Sequence, residues 1–462
     1  MKKLLFSLSI LLATTVAMSA QNFRTGYFLD GYMYKYQLNP AFQGERGFIA
    51  LPALGGTSLG VESNLAAGTF VYTVDDQLVS FMNSGVSNET FMKNIKNNNP
   101  LNVNLDLNLF ALGFRAKNTY HTFDVSFKGN LTTSLPGDTF RFIKVGRSDG
   151  NPVFDFSSLY TNATIYSQIA YGFSLKIKDF MSFGLRAKFL MGHQTIQSKF
   201  DSFKLTLQPE NWAFSLSGKM VATPLGGDFS NGTGSAISSM LSTANLGGAI
   251  DLGVSFDITK NLTLSASVLD LGFISWNDTN NLSINSINWK YNGFDGSEED
   301  GLIVIQEFAN LFEQFTSAFE FQRHGEAPAH IQKLGCTVLL GLEFRLPFYN
   351  RITLGALGVH KFEGPASWTE RRVSLNYAPF RWFSLAGSYA FSTYGHSYGA
   401  AVNIHPKGFN LFVGLDSFKP LLNMTEQYIP IDEINTNLKF GLTFPFGKYN
   451  GRYPKKEKIG NE

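Results

Sequence analysis

The side chains able to do chemistry in this 462-residue chain are few and scattered. It has seven histidines and one cysteine, Cys336. The only close histidine pair lies in HGEAPAH, where His324 and His330 bracket Glu326. Two imidazoles and a carboxylate are metal ligands by type. Their spacing follows no standard ligand pattern, so a solvated loop is the simpler expectation. No His-Glu-x-x-His occurs, and the glycine pairs Gly55-Gly56 and Gly226-Gly227 lack the strand–loop–helix context of a phosphate loop. No catalytic, cofactor-binding or metal-ligating residue is predicted. A hydrolase would need a Ser or Asp beside a His at the lipid face of a rim, and the sequence alone pairs none.

The polar residues that do fall into a pattern are those in strict alternation. Asn102, Asn104, Asp106 and Asn108 alternate with Leu101, Val103, Leu105, Leu107 and Leu109. Arg186 and Lys188 alternate with Leu185, Ala187 and Phe189, and Glu343 and Arg345 with Leu342, Phe344 and Leu346. On an extended chain each polar set faces one way. These eight residues are candidates for the lining of a lumen, where they either tune what passes or pair with one another as filling.

The elements that carry them are strands. Period-two alternation also runs from Ile165, Phe183, Ile250, Val338 and Leu438. Many of these runs hold phase for longer than the roughly 5–6 residues of an ordinary strand, and reach the roughly 9–11 that a tilted membrane strand needs. Charged residues are only 16% and aromatic residues 15%, with 44 Phe and 44 Gly, yet mean hydropathy is −0.04. Apolar and polar residues are therefore finely interleaved. The predicted fold class is all-β, a transmembrane antiparallel β-barrel of about 14 strands (12–16) over residues 47–447. A large soluble β protein is the alternative. Trp212, Trp276, Trp368 and Trp382 fall at or near predicted strand ends and suit an aromatic girdle. Long, partly helical loops are expected at 75–100, 135–161, 224–247, 277–331 and 418–435. Phe308, Phe312, Phe315 and Phe319 recur at helical spacing, and a weaker stripe joins Leu78, Phe81, Met82, Phe91, Met92 and Ile95. The net charge of +2 argues against nucleic acid as a partner.

The two ends differ from this pattern. A charged start, the apolar run Leu4 to Val16 and the small residues up to Ala20 read as a signal peptide over 1–20, hence export and an outer-membrane location. Residues 21–46 are aromatic and irregular, with an Asn-Pro turn. Residues 448–462 are basic and aperiodic, which suits a flexible periplasmic tail.

Three stretches, GYFLDGYMYKYQLNPAFQGERGFIALPALG, SVLDLGFISW and NLKFGLTFPFG, resemble a family of uncharacterised outer-membrane barrels from Bacteroidota, the DUF5723 type. A thinner likeness reaches FadL-like fatty-acid transporters and PorV-like barrels of the type IX secretion system. It rests on Asn39-Pro40-Ala41 and an Asp-Leu-Gly strand end. In FadL-like barrels the segment around such a triplet implies a plug inside the barrel ahead of the first strand. Here that would be residues 21–46, with Tyr32, Tyr34, Tyr36, Asn39, Pro40, Ala41 and Phe42. Two functions follow as expectations. The first is binding or passage of a hydrophobic small molecule, with an apolar pocket near the plug. The second is a non-transport barrel that anchors or shuttles protein partners at the cell surface, with a sealed lumen and apolar, ordered loops. Outer-membrane lipid is the expected surrounding, and no cofactor is implied.

Overall fold

The computed structural model describes residues 23–52, 55–75, 77–146, 152–207, 212–223, 245–277, 280–291, 329–418 and 435–450. Fourteen antiparallel strands form a closed barrel. They are β1, in two pieces (Gly47–Ala50 and Thr57–Ser63), β2 (Asn98–Ala116), β3 (Thr119–Pro136), β4 (Tyr160–Lys178) and β5 (Met181–Leu207). Next come β6 (Asn245–Asp257), β7 (Leu262–Trp276), β8, also in two pieces (His330–Lys333 and Cys336–Arg345), β9 (Ile352–Phe362) and β10 (Trp368–Phe380). The last four are β11 (Phe383–Ser392), β12 (Gly395–Ile404), β13 (Asn410–Phe418) and β14 (Thr436–Phe446). The ring shuts where β14 pairs with β1, at Gly47↔Phe446 and Thr57↔Phe440, and β1 in turn pairs with β2. Closure leaves no unpaired edge, which is the condition for extended backbone to survive in lipid.

The alternation read from the sequence is the alternation of the wall. Along β10 the exposure pattern flips at nearly every residue. Its outward set includes Val373 at 59% and Leu375 at 51%, and β8 presents Leu340 at 58%. Apolar side chains ring the barrel in this way, far beyond what a soluble monomer leaves bare. They face lipid. The inward set is polar: Asn102, Asn104, Asp106, Arg186, Lys188, Glu370, Arg372 and Asp416 are all less than a tenth exposed.

One end of the barrel has short connections, such as 117–118 and 179–180, and the other carries the long ones together with two short ones, 363–367 and 393–394. In barrels of this kind the short turns face the periplasm. At the long-loop end β5 runs beyond the wall, and its outer half pairs with Trp212–Ala222, which pairs in turn with Asn280–Tyr291. Beside it, the hairpin Val71–Val74/Gln77–Ser80 and the helices Asn88–Met92 and Gly137–Val145 enclose an apolar cluster around Val86, Phe91 and Phe140.

Several local expectations need correction. The stripe at Leu78 to Ile95 is not one helix, because Gln77–Ser80 is a strand and the helix spans only Asn88–Met92. Trp276 and Trp368 are buried, at 0% and 4%, whereas Trp382, at 49%, stands where a girdle residue would. The Asp-Leu-Gly of β7 is not a strand end but a bulge inside the strand. Asp270 has φ 60, and the register against β6 shifts between Ile250 and Leu252. A bulge reverses the phase beyond it, so Ile274 and Trp276 turn inward. The Phe308–Phe319 stripe, His324, Glu326, residues 1–20 and most of the tail lie outside the described residues.

Candidate functional site

Residues 23–46 lie against the inward faces of the wall, ahead of β1. Two short 3-10 turns, Arg24–Tyr27 and Met33–Gln37, shape the segment. Most of it is buried. Tyr32, Tyr34 and Tyr36 are at most 4% exposed and share an aromatic cluster with Phe48 and Phe412. Tyr32 meets Phe412 edge-on at 4.9 Å between ring centres, and Phe42 meets Tyr27 at 5.1 Å. Two cations of the wall approach these rings. Lys439 Nζ stands 5.5 Å from the Tyr34 ring and Arg186 Cζ 5.6 Å from that of Tyr36, both within cation–π range.

Asn39, Pro40 and Ala41 seat on a patch of bare backbone. Gly184 of β5 and Gly253 of β6 are cross-strand partners. A Cβ on Gly184 would strike the Pro40 carbonyl, and one on Gly253 would strike Asn39 and Pro40. The Asn39 amide donates to the carbonyls of Val254 and Ala266, each at 3.2 Å, while its oxygen accepts from the Ala41 N–H at 2.9 Å. The Asn-Pro turn thus packs on the glycines and is fixed there by the Asn39 amide, which donates to carbonyls of β6 and β7.

The other end of the segment is tied by charge. The Arg24 guanidinium donates to Glu62 at 2.5 Å and pairs with Glu370 at 3.1 Å. Asp416 accepts from the Arg24 N–H at 2.5 Å, from Thr25 and from Arg372 at 3.0 Å. At the short-turn end, Asp30 and Gly31 carbonyls accept from Ser384, Asn403 and Asn410, and His405 presses on Gly31. Burial holds the His405 imidazole near pKa 4 and therefore neutral; the nearby Asp30 charge only partly opposes this.

Between the segment and β2–β5 and β7–β10 lies a chamber of about 130 Å³, lined by Asn104, Asp106, Lys128, Arg186, Lys188 and Gln332 among others. The Asn102, Asn104 and Asp106 ladder meets facing rungs of β3, with Thr132 Oγ1, Asn130 Nδ2 and Lys128 Nζ donating at 3.1, 2.7 and 2.8 Å. Asn108 is also buried, opposite Ser126. Arg186 bridges Asp124 and Asp251, and Lys188 bridges Asp251 and Asp270. Glu343 and Arg345 pair at 3.5 Å near the short-turn end, apart from this network. Asp270, Asp124 and Asp251 were missed by the sequence reading. Asp270 reaches the lumen only through the bulge.

A family model, "Family of unknown function (DUF5723)", matches residues 40–416, most of the chain. The chain belongs to the DUF5723 family. No curated protein matches it. Among solved structures, the Ralstonia pickettii toluene transporter TbuX is 9% identical with a TM-score of 0.42, covering 89% of this chain and 93% of that one. A Pseudomonas aeruginosa FadL homologue is 11% identical with a TM-score of 0.37, covering 93% and 98%. The translocator domain of autotransporter NalP from Neisseria meningitidis is 6% identical with a TM-score of 0.33, covering 87% and 90%.

Among the described residues this DUF5723 barrel also carries a Ser–His contact. His193, the extra residue of a bulge in β5, shares a 2.7 Å hydrogen bond with Ser167 Oγ. Nucleophile and base lie within reach, but His193 Nδ1 has no hydrogen-bond partner among the described residues to orient the ring, and Ser167 is only 3% exposed. The sequence also holds two Gly-x-Ser-x-Gly stretches, around Ser58 and Ser397. Both serines sit inside strands, at 1% and 4% exposure, rather than on the strand-to-helix turn of a nucleophile elbow. His330 contacts Gln197 at 3.3 Å.

Proposed function

We propose that this protein is an outer-membrane barrel that binds or passes a small molecule, with residues 21–46 as a plug whose displacement opens the lumen. The observation that carries this reading is how the segment is attached. It joins the wall through side-chain hydrogen bonds, ion pairs and ring contacts rather than through a strand ladder, and such contacts release without breaking the barrel. The hydrophobic passenger that the FadL-like resemblance implies would need an apolar chamber. The aromatic cluster that the plug shares with the wall is closely packed, whereas the open chamber is lined mainly by amide and charged side chains, with Leu105, Leu334, Leu339 and Val359 among them. We therefore favour a polar passenger.

A disulfide staple tests the plug. Thr25 and Ser388 hydroxyls lie 2.8 Å apart, one on the segment and one on β11. In a Cys336→Ser background, Thr25→Cys with Ser388→Cys is expected to pin the segment when oxidised. Solute entry into reconstituted vesicles should then fall at least tenfold and return on reduction. Equal entry in both redox states would reject the plug as gate.

The second reading, a barrel that holds protein partners at the surface, draws on the ordered apolar cluster at the long-loop end. Met82 and Ile143 stand 53% and 42% exposed beside it. On that reading, replacing residues 66–96 by a short linker removes partner binding and leaves solute entry unchanged.

A further inference from the structure

We infer that the outer surface of β9 to β12, at the long-loop end, binds the phosphorylated head group of a glycolipid in the membrane leaflet it faces. Nothing in this depends on what the lumen carries. The chain from Ile352 to Ile404 holds two carboxylates, Glu363 and Glu370. Both turn inward, at 7% and 1% exposure, where Lys361 pairs with the first and Arg24 and Arg372 with the second. Basic side chains stand on the outside. Arg371 is exposed between the buried Glu370 and Arg372, and it has no hydrogen bond, ion pair or ring contact among the described residues. His360 and His396 face outward on the neighbouring strands. His360 Nδ1 shares a 2.7 Å hydrogen bond with the Thr369 hydroxyl, and His396 Nδ1 one of 3.0 Å with the Tyr389 hydroxyl. Each bond leaves Nε2 for a further partner. This face therefore presents a fixed positive charge and two imidazoles with no carboxylate to offset them, and its complement is an anion.

Depth says where that anion sits. His360, Arg371 and His396 lie eight, nine and eight residues from the short-turn ends of β9, β10 and β12, at Ile352, Phe380 and Ile404. That end is marked by the exposed, stacked rings of Phe380 and Trp382. At about 3.3 Å per residue and a tilt of about 40°, the three basic groups stand about 20–23 Å above it, against an apolar band of about 25 Å. They share one level, at the edge of the band remote from the periplasm, where the head groups of the outer leaflet begin. Rings gather at the same level. Phe391 lies across from both Arg371 and His396, and meets Tyr389 and His396 edge-on at 5.1 and 4.5 Å. The spread of the basic groups then selects the head group. His360 and His396 are three strands apart, about 15 Å at about 4.8 Å per strand, which is wider than one phosphate reaches. A disaccharide with a phosphate at either end spans that distance, and the guanidinium fork of Arg371 matches a phosphate's oxygens.

The experiment uses the full chain, purified in detergent and checked for fold by circular dichroism. Native mass spectrometry measures the lipid that stays bound. Bisphosphorylated lipid A is the probe, and its dephosphorylated form, phosphatidylglycerol and inorganic phosphate are the comparisons. Lipid A is expected to bind at least tenfold more tightly than the dephosphorylated form or phosphatidylglycerol, and excess inorganic phosphate should not displace it. Arg371→Leu, an apolar side chain at a lipid-facing position, should fold and weaken lipid A at least tenfold. Arg371→Lys, which keeps the charge without the fork, should weaken it less. Leu375→Ala, on the same outward face four residues deeper, should leave binding unchanged. The inference is overturned if folded Arg371→Leu binds lipid A as tightly as the unaltered chain, or if Leu375→Ala loses as much. It is overturned equally if phosphatidylglycerol binds as well as lipid A, which would mark a general anionic surface, or if free phosphate competes, which would mark a site for a soluble anion. Solute entry plays no part in the readout, so the result stands or falls apart from the plug.

Discussion

The contact most sensitive to a single change is the buried charge cluster at Arg24. Glu62, Glu370 and Asp416 are withdrawn from water there and depend on two guanidiniums, those of Arg24 and Arg372. Burying an ion pair adds little by itself, but removing one partner strands the other, at about 3–5 kcal/mol. Arg24→Met leaves Glu62, among the described residues, with the Ser417 hydroxyl, which lies 2.8 Å away. The loss should appear locally, because no wall ladder runs through Arg24. The expected outcome is faster amide exchange over residues 23–46 by mass spectrometry, with the denaturation midpoint of the barrel hardly moved. Adding Glu62→Gln, which neutralises the stranded charge, should restore part of the protection. Unchanged exchange in Arg24→Met would mean that the cluster does not hold the segment.

At the scale of elements, the wall and the N-terminal segment fit each other at glycines. Gly184 and Gly253 face each other across β5 and β6, and the Asn39-Pro40-Ala41 turn rests directly on their backbone. Gly184→Ala puts a methyl where the Pro40 carbonyl lies, and overpacking of this sort costs about 1–3 kcal/mol. Alanine is tolerated in a strand, so the wall should persist while the turn lifts. Solute entry into vesicles is expected to rise several-fold, whereas Gly387→Ala, which meets nothing, should leave it unchanged. These elements were legible to different degrees in the sequence. Strict alternation placed Asn102 to Asn108, Arg186 and Lys188 on the inner face, because a strand's period of two survives tilt and twist. The girdle expectation, drawn from the place of Trp276 at a strand end, failed because one extra residue at Asp270 reverses every side chain beyond it, and a bulge leaves no mark on composition. The pairing of Asp124 and Asp251 with Arg186 joins β3, β5 and β6, and a single sequence does not encode which strands become neighbours.

For the whole molecule, everything turns on which face meets lipid. An inward polar set and an outward apolar set would also describe a water-filled barrel with an unusually greasy exterior, so the exterior itself must be tested. Leu340 of β8 and Val373 of β10 lie mid-strand and point outward, at 58% and 59% exposure. On a soluble protein, replacing such an exposed residue changes stability by no more than about 0.5 kcal/mol. In a bilayer an arginine near the midplane costs about 2–4 kcal/mol, falling towards zero at the interfaces. Val373→Arg should therefore lower the free energy of unfolding from phospholipid vesicles by that larger amount, measured by urea titration. Trp382→Arg, in the two-residue turn between β10 and β11, should cost less than about 1 kcal/mol. The depth dependence matters more than either value, because only a slab of hydrocarbon of finite thickness penalises the middle of a strand and spares its end. Equal, small costs at Val373 and Trp382 would show an exterior wetted by water and would remove the membrane from every functional reading of this barrel.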